Sequence, residues 1–136
     1  MMSKKGSVLT SSTRDTSDEA HVPPVPELDE NVLLRLFELA GPVQTIEILD
    51  RLILDLHGVQ DVLQAASRVD ITLLRRQNHT LIGIAGTVGA VPLHRLALEA
   101  GKLLREGPTQ GEDLVAGLRP MVARLIQRLI EMRAER

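Results

Sequence analysis

The stretch RQNHTLIGIAGTVGAVPLHRL, Arg76 to Leu96, decides the fold. It reads as the end of one helix, a break between Gly86 and Gly89, and a second helix opened by Pro92. Glycine inside a helix costs roughly 1 kcal/mol relative to alanine. Gly83 and Gly86 stand one and two turns after His79. A sequence that carries both beside a histidine needs the space they leave.

A helical wheel at about 100° per residue, with His79 at 0°, sorts the surrounding side chains. Leu74, Leu81, Ala85 and Val88 cluster between about 180° and 240°, with Ile71 and Asn78 at the edge of that arc. This is the expected core face. Arg75, Arg76, Gly83 and Gly86 lie within about 60° of His79, and Ile82 falls near 300°, between the two faces. The imidazole is therefore expected to project into solvent from a surface stripped of side chains. Asn78, at the core margin, needs a hydrogen-bond partner.

Helical periodicity extends over the chain from Leu28 onward. In DENVLLRLFELAG, Asp29 suits an N-cap and Gly41 a C-cap. Pro42 suits the first turn of a second helix, expected to run to about Ser67 and to be weakened at His57-Gly58. A third helix starts near Asp70 and contains His79. The fourth carries Leu93, Leu96, Ala97, Ala100 and Leu103 or Leu104 as its apolar stripe. EGPTQGED reads as a turn. The last helix presents Val115, Leu118, Val122, Leu125, Leu129 and Met132, and Pro120 is expected to kink or restart it. The fold class is all-α: an antiparallel four-helix bundle with a short extra N-terminal helix, over residues 27–136. Residues 1–26, rich in Ser, Thr, Asp and Lys and closing on VPPVP, read as a disordered tail or linker.

Composition narrows the function. The chain has 136 residues, enough for one domain. Phe37 is the only aromatic, so the core must be aliphatic, which favours packed helices over a sheet. Net charge is -2 with both signs interspersed. With no evident basic stripe and no stacking aromatics, nucleic acid is not expected as a partner. Cysteine is absent, which excludes disulfides and thiolate metal sites. No apolar run approaches the roughly 18 residues of a membrane span, and the Lys4-Lys5 pair precedes no apolar signal segment. A cytoplasmic address is expected.

Asn78-His79-Thr80-Leu81-Ile82-Gly83, with Ala85-Gly86, Gly89-Ala90 and Leu93, resembles the signature of histidine-containing phosphotransfer (HPt) domains. That signature runs Ala-His-Thr-Leu-Lys-Gly-Ser-Ala, then Leu-Gly-Ala, then spaced leucines. The resemblance spans about residues 27 to 134, with helix order and turn placement in agreement. It implies a phosphocarrier that takes a phosphoryl group from an aspartate of one receiver domain and passes it to an aspartate of another. On this resemblance His79 is the phosphoacceptor, and Gly83 clears the docking surface above it. Arg75, Arg76, Ile82 and Gly86 would complete that surface. The implied partners are response-regulator receivers and a hybrid sensor histidine kinase. The chain itself would be a monomer without nucleotide, cofactor or kinase activity, and Mg²⁺ would come with the receiver's acidic cluster. An imidazole in water is mostly unprotonated and nucleophilic at pH 7, and phosphoryl transfer asks mainly for positioning and charge neutralisation.

The chain departs from the family pattern in two places. The family has Lys three residues after the histidine; here it is Ile82, and Arg75 and Arg76 could supply charge instead. Many members also carry Glu or Gln on the fourth helix to hydrogen-bond the ring, where this chain has Gly101, and Asn78 replaces the usual Ala. The main alternative is an HPt-fold adaptor that binds a receiver or other signalling protein without efficient transfer. A sensor kinase's dimerisation helices would have an acid after the histidine, where Thr80 stands. A metal site through His57, His79 and His94 lacks any i, i+3 or i, i+4 pair. His94 reads as a solvated side chain, and His21 lies in the tail. Nucleophilic hydrolysis would need a serine in a strand-turn-helix setting, and no sheet is expected.

Overall fold

The computed structural model describes residues 27–66, 68, 70–107 and 111–136. The tail assigned to residues 1–26 lies outside them. The order is α1 (Glu30–Ala40), α2 (Pro42–Gln64), α3 (Ile71–Val88), α4 (Val91–Leu104) and α5 (Glu112–Ala134). No strand occurs among the described residues.

Helices α2 to α5 form the bundle. α2 packs on α3 and α5, and α4 packs on the same two. α1 lies across one end, against α2 and α3. The caps explain the boundaries. Asp29 and Asp70 accept from the backbone N–H groups of Asn31 and Thr72 at 3.1 and 2.9 Å, satisfying donors that the first turn leaves orphaned. Gly89 ends α3 in the left-handed conformation, φ +79°, which glycine adopts without a Cβ penalty. A side chain there would also meet Asp29 O and Val32 Cβ at 3.1 Å, because α1 begins against this turn.

The core is almost wholly aliphatic. Leu33, Leu49, Leu56, Leu63, Leu81, Leu104, Leu118 and Leu129 are the largest fully buried side chains. Burial of each contributes roughly 1.5–3 kcal/mol. Leu93, Ala97, Ala100 and Leu104 form the α4 stripe, and the expected α5 positions are all buried, joined by Ile126.

Three expectations are corrected. α2 ends at Gln64 rather than near Ser67, and it runs unbroken through His57-Gly58. Leu56 and Val59 are both buried on either side of that pair, so packing overrides glycine's weak propensity. α5 also continues through Pro120 without a restart. Pro120 is exposed, so its ring meets solvent, while Leu118 and Val122 anchor the flanking turns in the core.

Arginines tie the ends together. Arg119 Nε donates to Leu63 O at 2.9 Å, capping the last turn of α2. Arg128 clamps Glu30 through Nε and Nη2 at 2.7 and 2.9 Å, and Arg124 clamps Glu27 in the same way. Hydrogen bonding to these arginines holds the Glu27 and Glu30 carboxyls below the usual range, against a smaller opposing effect of burial. A depressed carboxyl contributes stability above the ordinary carboxylate range and loses it as pH falls through the depressed value. Acidification from about pH 6 to about pH 3 should therefore destabilise the wild type more than a Glu27→Gln/Glu30→Gln variant. Thermal melts across that range test this; parallel losses would show that the clamps contribute nothing.

Candidate functional site

The site is set by the rotation of α3. Asn78 is 2% exposed, whereas the next residue, His79, is open to solvent. Asn78 Nδ2 donates to Ala97 O of α4 at 2.9 Å. Gly101 admits this amide, since a Cβ there would stand 3.2 Å from Asn78 Nδ2 and 3.8 Å from Ile82 Cδ1. Asn78 Oδ1 is buried and accepts no hydrogen bond among the described residues. An orphaned acceptor of this kind costs roughly 1–3 kcal/mol. Flipping the amide would not help, because Oδ1 would then face Ala97 O, acceptor against acceptor.

Around His79 the predicted face is only partly as the wheel drew it. Gly83 is exposed, and a Cβ on it would meet nothing within 4 Å. Gly86 is exposed too, but a Cβ there would stand 3.5 Å from His94 Cδ2 and Nε2. His94 is thus half-buried beside α3 and not the freely solvated side chain expected. Ile82 is half-buried and packs against the core, turned toward the seam with α4. Position 82 is a packing position here.

The two arginines separate. Arg75 Nε and Nη2 both donate to Leu104 O, at 3.0 and 2.7 Å. This guanidinium caps the C-terminal end of α4, where carbonyls lack partners and the helix dipole is negative. Arg76 is exposed and forms no ion pair among the described residues. No group of three or more His, Asp or Glu side chains among the described residues is gathered where it could hold a metal ion. His57 lies on the exposed side of α2.

A residue-level reading of α3 alone missed His94 and the capping role of Arg75. Both depend on what α4 places opposite α3.

An exposed histidine in mid-helix, glycines one and two turns on, and four antiparallel helices behind it also describe a known family. The family model for the Hpt domain matches residues 43–133. This chain belongs to the Hpt domain family. Among solved structures it is similar to histidine-containing phosphotransfer protein B (HptB) from Pseudomonas aeruginosa PAO1. The two share 25% sequence identity and a TM-score of 0.70, over 83% of this chain and 99% of that one. No curated protein matches the sequence significantly. Family membership carries the all-α bundle and, in general terms, histidine phosphotransfer in phosphorelays. Among the described residues, no helix of this Hpt domain is long and apolar enough to cross a membrane.

The Asn78–Gly101 contact makes a specific energetic prediction. Gly→Ala in a helix is worth up to about 1 kcal/mol of stability where space allows. Gly101→Ala should therefore stabilise the Asn78→Ala variant more than it stabilises the wild type, in which the amide is in the way. A denaturant double-mutant cycle reads this coupling. Additive effects would show that the amide and the glycine are independent.

Proposed function

We propose that this Hpt domain is a phosphocarrier with His79 as its phosphoacceptor. The unprotonated ring nitrogen attacks the phosphorus of a receiver's aspartyl phosphate. The P–O bond to the receiver carboxylate breaks, and the phosphoryl group moves to nitrogen while the other ring nitrogen keeps its proton. The same step in reverse, onto a second receiver's aspartate, completes the relay. Mg²⁺ belongs to the receiver's acidic site in this scheme, and a hybrid sensor kinase stands upstream. A monomeric, cytoplasmic domain suits the role.

Gly83 is the observation that carries the reading. It costs helix stability, no internal neighbour forbids a side chain, and its φ is not positive. Nothing inside the fold calls for glycine one turn after His79. A partner's backbone approaching the imidazole does. Gly58 on α2 has equally open surroundings, but it is half-buried and on a different helix.

Charge for the phosphorylated ring falls to Arg76. It stands one turn before His79 and has no ion-pair partner among the described residues, whereas the Arg75 guanidinium is committed to α4. Arg76→Ala should slow transfer several-fold with little loss of stability. Arg75→Ala should lower stability and leave the rate per folded molecule nearly unchanged. Equal rate effects from both would remove this division of labour.

The direct experiment exposes wild type and His79→Gln to phosphorylated receiver domains. Label on the wild type alone supports the relay. Receiver binding without label on either form supports the adaptor reading. Gly83→Ala adds a second test: stability should rise by up to about 1 kcal/mol while transfer slows. Unchanged transfer would show that the open surface has no part in docking.

A further inference from the structure

The four most exposed large apolar side chains among the described residues, Leu34, Leu39, Val43 and Leu54, all stand on α1 and α2. Leu39 and Val43 lead them, at 87% and 71%, on either side of the Gly41-Pro42 corner where the two helices meet. A groove of about 380 Å³ opens at this corner, within the range of ~300–1,000 Å³ that holds small ligands. Leu34, Phe37 and Pro42 line it, with Glu38, Thr45 and Arg136. Leu39 follows Glu38 in the chain and Val43 follows Pro42, so the exposed pair adjoins the groove. No lining residue belongs to α3 or α4.

The electrostatics of the groove select a cation. It lies at the C-terminal end of α1, where the helix dipole is negative and the last carbonyls lack intrahelical partners. Pro42 has no N–H to offer Glu38 O, and the carbonyls of Leu39 and Ala40 also accept no backbone hydrogen bond among the described residues. The last turn of α1 holds no basic residue to balance this end. Glu30, Asp50 and Asp55 are met by Arg128, Arg133 and Arg51. Among the described residues, that leaves Glu38, Glu47 and Asp61 on these two helices against Arg35.

A cation already stands in the groove. The Arg136 guanidinium lies over the ring of Phe37, the chain's only aromatic, 4.6 Å from its centroid. This is a cation–π distance, and at an exposed residue such a contact is weak. Arg136 makes no ion pair among the described residues that would hold it there.

We propose that the α1–α2 corner is a docking site for a segment of another protein that inserts an arginine between apolar side chains, and that Arg136 fills the groove in its absence. The incoming guanidinium displaces that of Arg136. One face stacks on Phe37, and its N–H groups reach Glu38 and the open carbonyls of α1. A planar fork with five donors suits this setting better than a lysine ammonium. Leu39 and Val43 are covered by the apolar neighbours of the inserted arginine, which is why the site takes a peptide and not a free amine. The site lies outside the surroundings of His79 and does not rest on the phosphocarrier reading.

The test measures binding of a short capped peptide, with a central arginine flanked by leucine and valine, to the full chain by fluorescence anisotropy. A control peptide carries citrulline, the neutral isostere, in place of arginine. The arginine peptide should bind about tenfold more tightly than the control. Arg136→Ala should tighten its binding several-fold, since the internal competitor is gone; an Arg136 that only packs on Phe37 would give no such gain. Glu38→Lys should weaken binding about tenfold at low salt and less at high salt. Leu39→Ser/Val43→Ser should weaken it at both, and His79→Gln should leave it unchanged.

Equal binding of the two peptides would overturn the proposal. So would failure of Arg136→Ala to tighten binding, or absence of binding to both wild type and Arg136→Ala. Displacement of the arginine peptide by a synthetic copy of residues 1–26 would give the groove to this chain's own amino end. Self-association that Leu39→Ser/Val43→Ser abolishes would give it to a second copy. Either result would overturn the proposal.

Discussion

The position of the imidazole depends on the burial of its neighbour. Asn78 is locked between α3 and α4 by a hydrogen bond to Ala97 O, and Gly101 gives it room. Successive helical residues are about 100° apart, so fixing Asn78 inward fixes His79 outward. Leu81, Ala85 and Val88 anchor the same rotation below the histidine, and Leu74 above it. The unpaired Oδ1 of Asn78 is the cost of this arrangement. A hydrocarbon side chain would remove the orphan but would lose the directional tie to α4.

The arginines show how one residue type takes different parts according to what faces it. Arg75 and Arg119 finish the ends of neighbouring helices by donating to Leu104 O and Leu63 O. Arg124 and Arg128 fasten the segment leading into α1 onto α5. Arg76, Lys102 and Arg105 have no such duty among the described residues and leave their charge on the surface of the α3–α4 hairpin. Structural cations sit opposite carboxylates or helix ends, whereas Arg76, one turn before His79, faces neither among the described residues.

Most of the fold was legible because every helix carries an apolar stripe, and α1 and α3 are marked by caps as well. Asp29, Asp70, Gly41 and Gly89 stand at the boundaries they predict. The errors arose where a local rule met a tertiary one. Gly58 and Pro120 weaken a helix in isolation, but their neighbours are buried and hold the turns in place. At the site, the outward direction of His79 and the need of Asn78 for a partner were both readable from the wheel of α3. The fate of Arg75 and the seat of His94 were not, since each depends on a residue about 8 to 29 positions away, across the seam.

Past His79, α3 holds Gly83 and Gly86 and stops at Gly89. These residues lose more backbone freedom on becoming helical than any other type. The later half of α3 should therefore open locally more often than the earlier half, and its amides should exchange hydrogen sooner. Contact with a partner would quiet that breathing. Part of the association free energy would then go into stiffening the very turn that the visitor touches, which suits a brief encounter better than a lasting complex.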